Sequence, residues 1–265
     1  MLDMKSLILR RRRIVKILGS DYDGTLTYGG IGEDKLEAIR KWRQAGNKFG
    51  IISGRIHTFR YQLPQSFPRL ELDFLATCNG GYITDADGVL LYEKRCTDVS
   101  VHGLAEDLFA LGCKELDIVG EGFVCVVQSP DDAPAHLSKD KICLIEELPP
   151  IDYFHQVSVQ LPTVTRTTEA VDYLRRAYAG LLTPHQNGRC IDIVPHGVNK
   201  ADALYRVAEF FGGAPEDVIA VGDNINDEAM IREFRSYAMA NGLDEIKALA
   251  DGIVSDITEL IALEM

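Results

Sequence analysis

Asp21 and Asp23, in the stretch KILGSDYDGTLTYGG, stand one residue apart at the end of an apolar run. Near the end of a strand, residues i and i+2 project to the same side, so both carboxylates face one crevice and repel each other there. Three further polar clusters follow runs of strand character: Ser53-Gly54-Arg55 after FGII, Lys200 after IDIVPHGVN, and Asp223, Asn226 and Asp227 in GDNIND after DVIAV. In open parallel sheets ligands bind where the loops at the carboxyl ends of the strands converge. One crevice then holds four acids, a lysine, and a serine flanked by backbone amides.

That inventory fits phosphoryl transfer, which demands positioning and charge neutralisation more than covalent chemistry. A divalent cation among Asp21, Asp23 and Asp223 relieves their repulsion, because hard cations prefer carboxylate oxygens, and Mg²⁺ suits a few carboxylates plus a substrate phosphate. Gly24 lets the chain turn sharply beside the ligand. The Ser53 hydroxyl, the Gly54 amide and the Lys200 ammonium are placed to hold phosphoryl oxygens. Asp21 ends the strand directly and is read as the nucleophile, giving an aspartyl-phosphate. Asp23 is read as the acid that protonates the leaving alkoxide and then activates water. Taken singly, each cluster has a plainer account: acid pairs are common on surfaces, and a lysine opening a helix is ordinarily solvated. The order of all four, each after its own strand, carries the inference.

The elements that must position them alternate. IVKILGS reads as a strand, GEDKLEAIRKWRQAG as a helix with Leu36, Ile39 and Trp42 on one face, KFGIIS as a strand, RIHTFRYQL as a helix ending before Pro64, and LDFLATC as a strand. Strand–helix alternation implies a parallel sheet covered by helices. The middle differs. GYITDADGVLLYEK reads as a hairpin turning at Asp87-Gly88, ELDIVGEGFVCVVQS as a second one, FHQVSVQLP and GRCIDIVP as strands, and TTEAVDYLRRAYAG as a helix. After Pro195 the alternation resumes through NKADALYRVAEFFG, DVIAVGD and INDEAMIREF. The expected fold is therefore α/β: a Rossmann-like doubly wound parallel sheet formed by residues 1–82 and 189–265, interrupted by an α+β insert over residues 83–188.

Composition narrows the function classes. The 265-residue chain has a formal net charge of −12, which disfavours nucleic acid as a partner. Its one basic block, Arg10–Arg13, lies in an opening that carries six positive charges against one negative, most simply a solvated lead-in. SLIL is too short for a signal peptide's apolar region, and no apolar run reaches membrane-spanning length. Six scattered cysteines without a C-x-x-C pair fit free thiols in a reducing cytoplasm, the expected location. His102, His136, His155, His185 and His196 show no metal spacing, and Arg166, Arg175 and Arg176 read as a solvated helix face.

The motif order resembles the haloacid dehalogenase superfamily of phosphohydrolases. DYDGTLT is similar to its first motif, IISGR to the second, GVNKADAL to the third and GDNINDEAM to the fourth. An insert between the second and third motifs is similar to the α/β (C2-type) cap of the Cof-type sugar-phosphate phosphatases. The resemblance implies a Mg²⁺-dependent phosphatase acting on a small phosphate ester. It implies Asp21 as nucleophile and metal ligand, Asp23 as acid/base binding metal through its backbone carbonyl, and Asp223 as a direct metal ligand. It further implies that Asp227 supports the metal or Lys200, and that Ser53, Gly54, Lys200 and Asn226 bind phosphate. Ser20 stands where the family usually has an apolar residue, and Gly81 where alanine is common. A phosphomutase of the phosphomannomutase type is the alternative among enzymes, and a non-catalytic phosphate-binding or regulatory protein the alternative outside them. The insert is expected to close over the crevice, exclude water and choose the leaving group. Neither the substrate nor the oligomeric state is legible in the motifs.

Overall fold

The computed structural model describes residues 15–129, 142–145 and 148–265. Arg10–Arg13, His136 and the loop Pro130–Pro134 lie outside the described residues. In chain order the strands are β1 (Ile17–Ser20), β2 (Lys48–Ile52), β3 (Phe74–Thr77), β4 (Tyr82–Asp85), β5 (Leu90–Glu93), β6 (Glu115–Gly120), β7 (Phe123–Gln128), β8 (Ile142–Leu144), β9 (Gln156–Gln160), β10 (Leu182–Asn187), β11 (Cys190–Pro195), β12 (Val218–Gly222), β13 (Arg235–Met239) and β14 (Gly252–Val254). The helices are α1 (Glu33–Gln44), α2 (Phe59–Ser66), α3 (Val101–Ala110), α4 (Val164–Ala177), α5 (Lys200–Phe210), α6 (Glu228–Glu233), α7 (Asp244–Lys247) and α8 (Ile257–Glu264).

Eight strands form one sheet in the order β14-β13-β12-β1-β2-β3-β4-β5. The strands from β14 to β3 are parallel, and β4 and β5 add an antiparallel edge. Its centre is buried on both faces, as the continuous apolar runs require. Leu18, Phe49, Ile51, Ile219 and Val221 pack on one side with Ile39 and Trp42 of α1 and Leu260 and Ile261 of α8. Ile17, Ile52, Val218 and Ala220 pack on the other with Leu204 and Val207 of α5 and Met230 of α6. Gly19 allows the close seating of α5, since a Cβ there would lie 2.5 Å from Leu204 Cδ2. From β1 the chain winds outward to β3 and later returns to wind the other way from β12, so the switch point lies between β1 and β12. Ligands in doubly wound sheets bind outside the carboxyl ends of the strands at such a point.

The second sheet has the order β10-β11-β9-β6-β7-β8 and is antiparallel except for the β7–β8 pair. One of its faces is covered by Leu104 and Leu108 of α3 and by Ala170, Val171 and Leu174 of α4. Strand alternation gives the opposite face to Asp117, Ser158 and Asp192, which lie in register across β6, β9 and β11.

Two expectations change. The hairpin at residues 82–93 belongs to the large sheet, where β4 pairs with β3, and β11 belongs to the small sheet. On sheet membership the insert runs from beyond Glu93 to Pro195 rather than over 83–188. Alternating apolar and polar residues specify a hairpin without saying which sheet it extends. The second change is that Pro64 lies inside α2, near its carboxyl end. Cys78, Cys96, Cys113 and Cys190 are free thiols, as expected. Among the described residues no helix is long and apolar enough to cross a membrane.

Candidate active site

β1 delivers Asp21 to the switch point, and the Asp21 amide still donates to Val221 O of β12 at 2.9 Å. The chain then coils tightly over Tyr22–Leu26, with Gly24 at φ +82°. A Cβ on Gly24 would lie 2.5 Å from Asp223 Oδ2, so only glycine lets this turn approach the loop after β12. Thr25, in the same turn, donates its hydroxyl to Asp223 Oδ1 at 2.7 Å. Gly24→Ala is expected to keep the fold, costing about 1–3 kcal/mol of stability through the strained backbone. It should lower any metal-dependent turnover at least tenfold by displacing Asp223, as saturation kinetics against metal concentration would read.

α5 brings the cation. Asn199 caps its first turn by accepting from the Asp202 amide at 2.9 Å, and Lys200 follows directly. The Lys200 ammonium is fully buried and donates to Asp21 Oδ1 at 2.6 Å and Asp227 Oδ1 at 2.5 Å. Asp227 Oδ2 in turn accepts from the amides of Asp223 (2.9 Å) and Asn224 (3.0 Å). Both oxygens of Asp227 are thus engaged, and this residue fixes Lys200 and the loop bearing Asp223.

Oxygens of Asp21, Asp223 and Asp227 lie within 4.8 Å of one another. Three carboxylates against one ammonium leave this cluster a formal charge of −2. Burial pushes Asp21 well above the usual carboxylate range; the pull of Lys200 is outweighed by burial with the repulsion of Asp227 and Asp223. Burial also raises Asp223, against the Thr25 hydrogen bond. Burial acting alone would lower Lys200, but its two carboxylate partners hold it above the ordinary lysine value, so it stays charged. Such a cluster lacks positive charge of the amount a divalent cation carries, and its donors are the hard oxygens that Mg²⁺-type ions take.

Ahead of the cluster opens a cavity of about 360 Å³ lined by Asp21, Asp23, Ser53, Gly54, Arg55, Ile56, Gln156, Ser158, Asn187, Asp192, Asn224 and Asn226. All eight residues picked out in the sequence meet here or in the cluster behind: Asp21, Asp23, Ser53, Gly54 and Asn226 line the cavity, and Lys200 touches Asp21. Asp223, half-buried, and Asp227, buried, complete the cluster. The Asp23 carboxylate is half exposed and bonded through both oxygens to Arg55, at 2.8 Å each. The insert supplies the facing wall, which the sequence reading left unassigned. Gln156 donates to Gly54 O at 2.9 Å, and Asp192 accepts from Ser158 at 2.9 Å and from Asn79 at 3.1 Å. Burial raises the Asp192 carboxyl to about 6.

Comparison with known proteins bears directly on this arrangement. The sequence profile of the haloacid dehalogenase-like hydrolases matches residues 18–260. This chain belongs to that family. It is therefore a hydrolase of the haloacid dehalogenase class, in the Cof-type branch. It is 25% identical to pyridoxal phosphate phosphatase YbhA of Escherichia coli, with 92% of this chain and 94% of that protein covered. It is 23% identical to 5-amino-6-(5-phospho-D-ribitylamino)uracil phosphatase YbjI of Escherichia coli, with 89% of each covered. A longer relative from Streptococcus pyogenes is 25% identical over 98% of this chain, which spans 56% of that protein's length. Among solved structures, the subclass IIB sugar phosphatase BT4131 superposes with a TM-score of 0.77 at 21% identity, covering 94% of this chain and 99% of that one. This likeness shows the haloacid dehalogenase fold, a doubly wound core with an inserted second sheet.

Proposed function

We propose that this chain hydrolyses small phosphomonoesters, sugar phosphates in particular, with Mg²⁺ and through an aspartyl-phosphate on Asp21. The observation that carries the reading is the buried Asp21 carboxylate, fixed by Lys200 and facing a cavity that Ser53 and Gly54 share. Asp21 and Asp223, with the backbone carbonyl of Asp23, would hold the cation. When bound, the cation neutralises the acidic cluster and the charge on the phosphoryl oxygens.

The residues of the chain divide the remaining work. Lys200 on Oδ1 fixes the rotation of the Asp21 carboxylate, so attack on phosphorus begins from a positioned nucleophile. The bond from Asp21 to phosphorus forms as the ester P–O bond breaks, and Asp23 gives its proton to the departing alkoxide. Water then attacks phosphorus, Asp23 takes the water proton, and inorganic phosphate leaves Asp21 free. Arg55 must release an oxygen of Asp23 for either proton transfer, because it engages both in the structure described.

The leaving group is read from the cavity lining. Ile56 is the single hydrocarbon side chain among the residues named above, and the insert contributes amides, a hydroxyl and a carboxylate. A flat heteroaromatic group needs apolar or aromatic faces to stack on. A polyhydroxylated one exchanges its water hydrogen bonds for those of Ser158, Asp192, Asn187 and Asn224, so the polar lining supports sugar phosphates over pyridoxal-like esters.

The test is phosphate release from hexose and pentose phosphates, acetyl phosphate and pyridoxal 5′-phosphate, with Mg²⁺ and with chelator. Release that requires metal and ranks sugar phosphates at least tenfold above pyridoxal phosphate in kcat/KM is the expected result. Equal release in chelator would remove the metal from the reading, and a reversed ranking would remove the sugar.

A further inference from the structure

Two imidazoles that the chemistry does not use meet where the two sheets touch. His57 follows Ser53-Gly54-Arg55 in the loop beyond β2, and His155 immediately precedes Gln156, the residue that donates to Gly54 O. His57 is 7% exposed and His155 fully buried, with ring centroids 6.3 Å apart. Tyr82 of β4 lies against both, at 5.5 Å from His57 and 5.4 Å from His155. Nδ1 of each ring is buried without a hydrogen-bond partner. His155 Nε2 meets Glu93 Oε2 at 2.9 Å.

We propose that this pair is a proton-sensitive lock between the insert and the large sheet: the closed position requires both imidazoles neutral, and protonating either one favours parting of the two units. The proposal rests on the reading above that the insert closes over the active site.

The surroundings fix the sign. His57 faces His155, Arg60 of α2 and Glu121 of the β6–β7 turn, and burial, then His155 and Arg60, lower its pKa. His155 faces Glu93, Arg95, Glu121, Tyr82 and the ring of Tyr153 at 5.6 Å. Glu93 favours a charged ring, but that carboxylate is shared with Arg95 at 2.8 Å, and burial wins, so His155 too is lowered. In a parted state the rings meet water and regain the ordinary histidine value near 6.5. The open state therefore binds more protons, and lowering the pH through about 6.5 shifts the equilibrium towards it. Above that pH neither state binds the protons and the lock holds. Each unit of pKa difference between the states is tenfold in the opening equilibrium.

The experiment is small-angle scattering of the full chain between pH 8 and pH 5.5, on wild type, His57→Phe and His57→Phe/His155→Phe, with near-ultraviolet circular dichroism confirming folded protein. Expected is a growing radius of gyration for wild type below pH 6.5, corresponding to at least a tenfold shift in opening. The response should be weaker in the single variant and flat in the double one. A compact wild type at every pH, or an equal expansion in the single variant, overturns the proposal. Phosphate release from acetyl phosphate at pH 8, where the lock is closed in all three, tests the hydrolase reading separately. Absent release with an intact scattering response would sink that reading and spare the lock.

Discussion

Asp21→Asn is expected to abolish phosphate release, by at least about 10⁴-fold, while raising the stability of the metal-free protein. Loss of a nucleophile from a catalytic unit ordinarily costs factors of this size. The gain in stability follows from the charge of the cluster. Three acids share one ammonium, and burial holds Asp21 well above the carboxylate range, so its ionised form is a burden on the folded state near neutral pH. An amide at this position keeps an oxygen for Lys200 and leaves a one-to-one pair of Lys200 with Asp227. Relief of that burden should raise the melting temperature in chelator. Mg²⁺ should then stabilise wild type more than the variant, since the variant offers one charge fewer to the ion. Scanning calorimetry with and without the metal reads both effects. A variant that melts lower than wild type in chelator would refute the electrostatic account, and one retaining a hundredth of the activity would refute the nucleophile.

The four polar clusters of the candidate site were legible in the sequence because of where their polar groups fall. Each places a charge or a polar hydroxyl at the end of an apolar run, where a folded chain gains nothing unless the site has work to do. Lys200 makes the point: the bland account of a helix-opening lysine is solvation, yet it is fully buried between two acids. Other features were hidden for physical reasons. β10 has no strand signature, because Pro184, His185, Gln186 and Asn187 suit a loop, but β10 is an edge strand, where proline is tolerated. Gln156, Ser158 and Asp192 alternate with buried Val157, Val159, Ile191 and Ile193, a pattern that shows a polar sheet face without showing what it overlooks. His57 and His155 are far apart in sequence with no spacing to join them, and only the meeting of the two sheets does so.

Lys200→Met is expected to be the most damaging single change in the core. It leaves Asp21 and Asp227 buried together without a cation, and breaking a buried pair from one side costs about 3–5 kcal/mol. For a chain of this length that is a fall in melting temperature of about 6–15 °C. Turnover should fall at least about 10³-fold, because Asp21 loses the contact that sets its rotation and the phosphoryl site loses its nearest ammonium. Stability loss alone would explain a poor yield of active enzyme, so the informative variant is Lys200→Met/Asp227→Asn. Removing the second charge takes away the repulsion that the first change created, and the double variant should recover about 1–3 kcal/mol relative to additivity. Its activity should stay low, since neither substitution restores a cation to Asp21. Recovery of turnover in step with stability would mean that Lys200 only holds the core together. Stability that returns without turnover places the ammonium in the chemistry, with Asp227 as the group that made its burial tolerable.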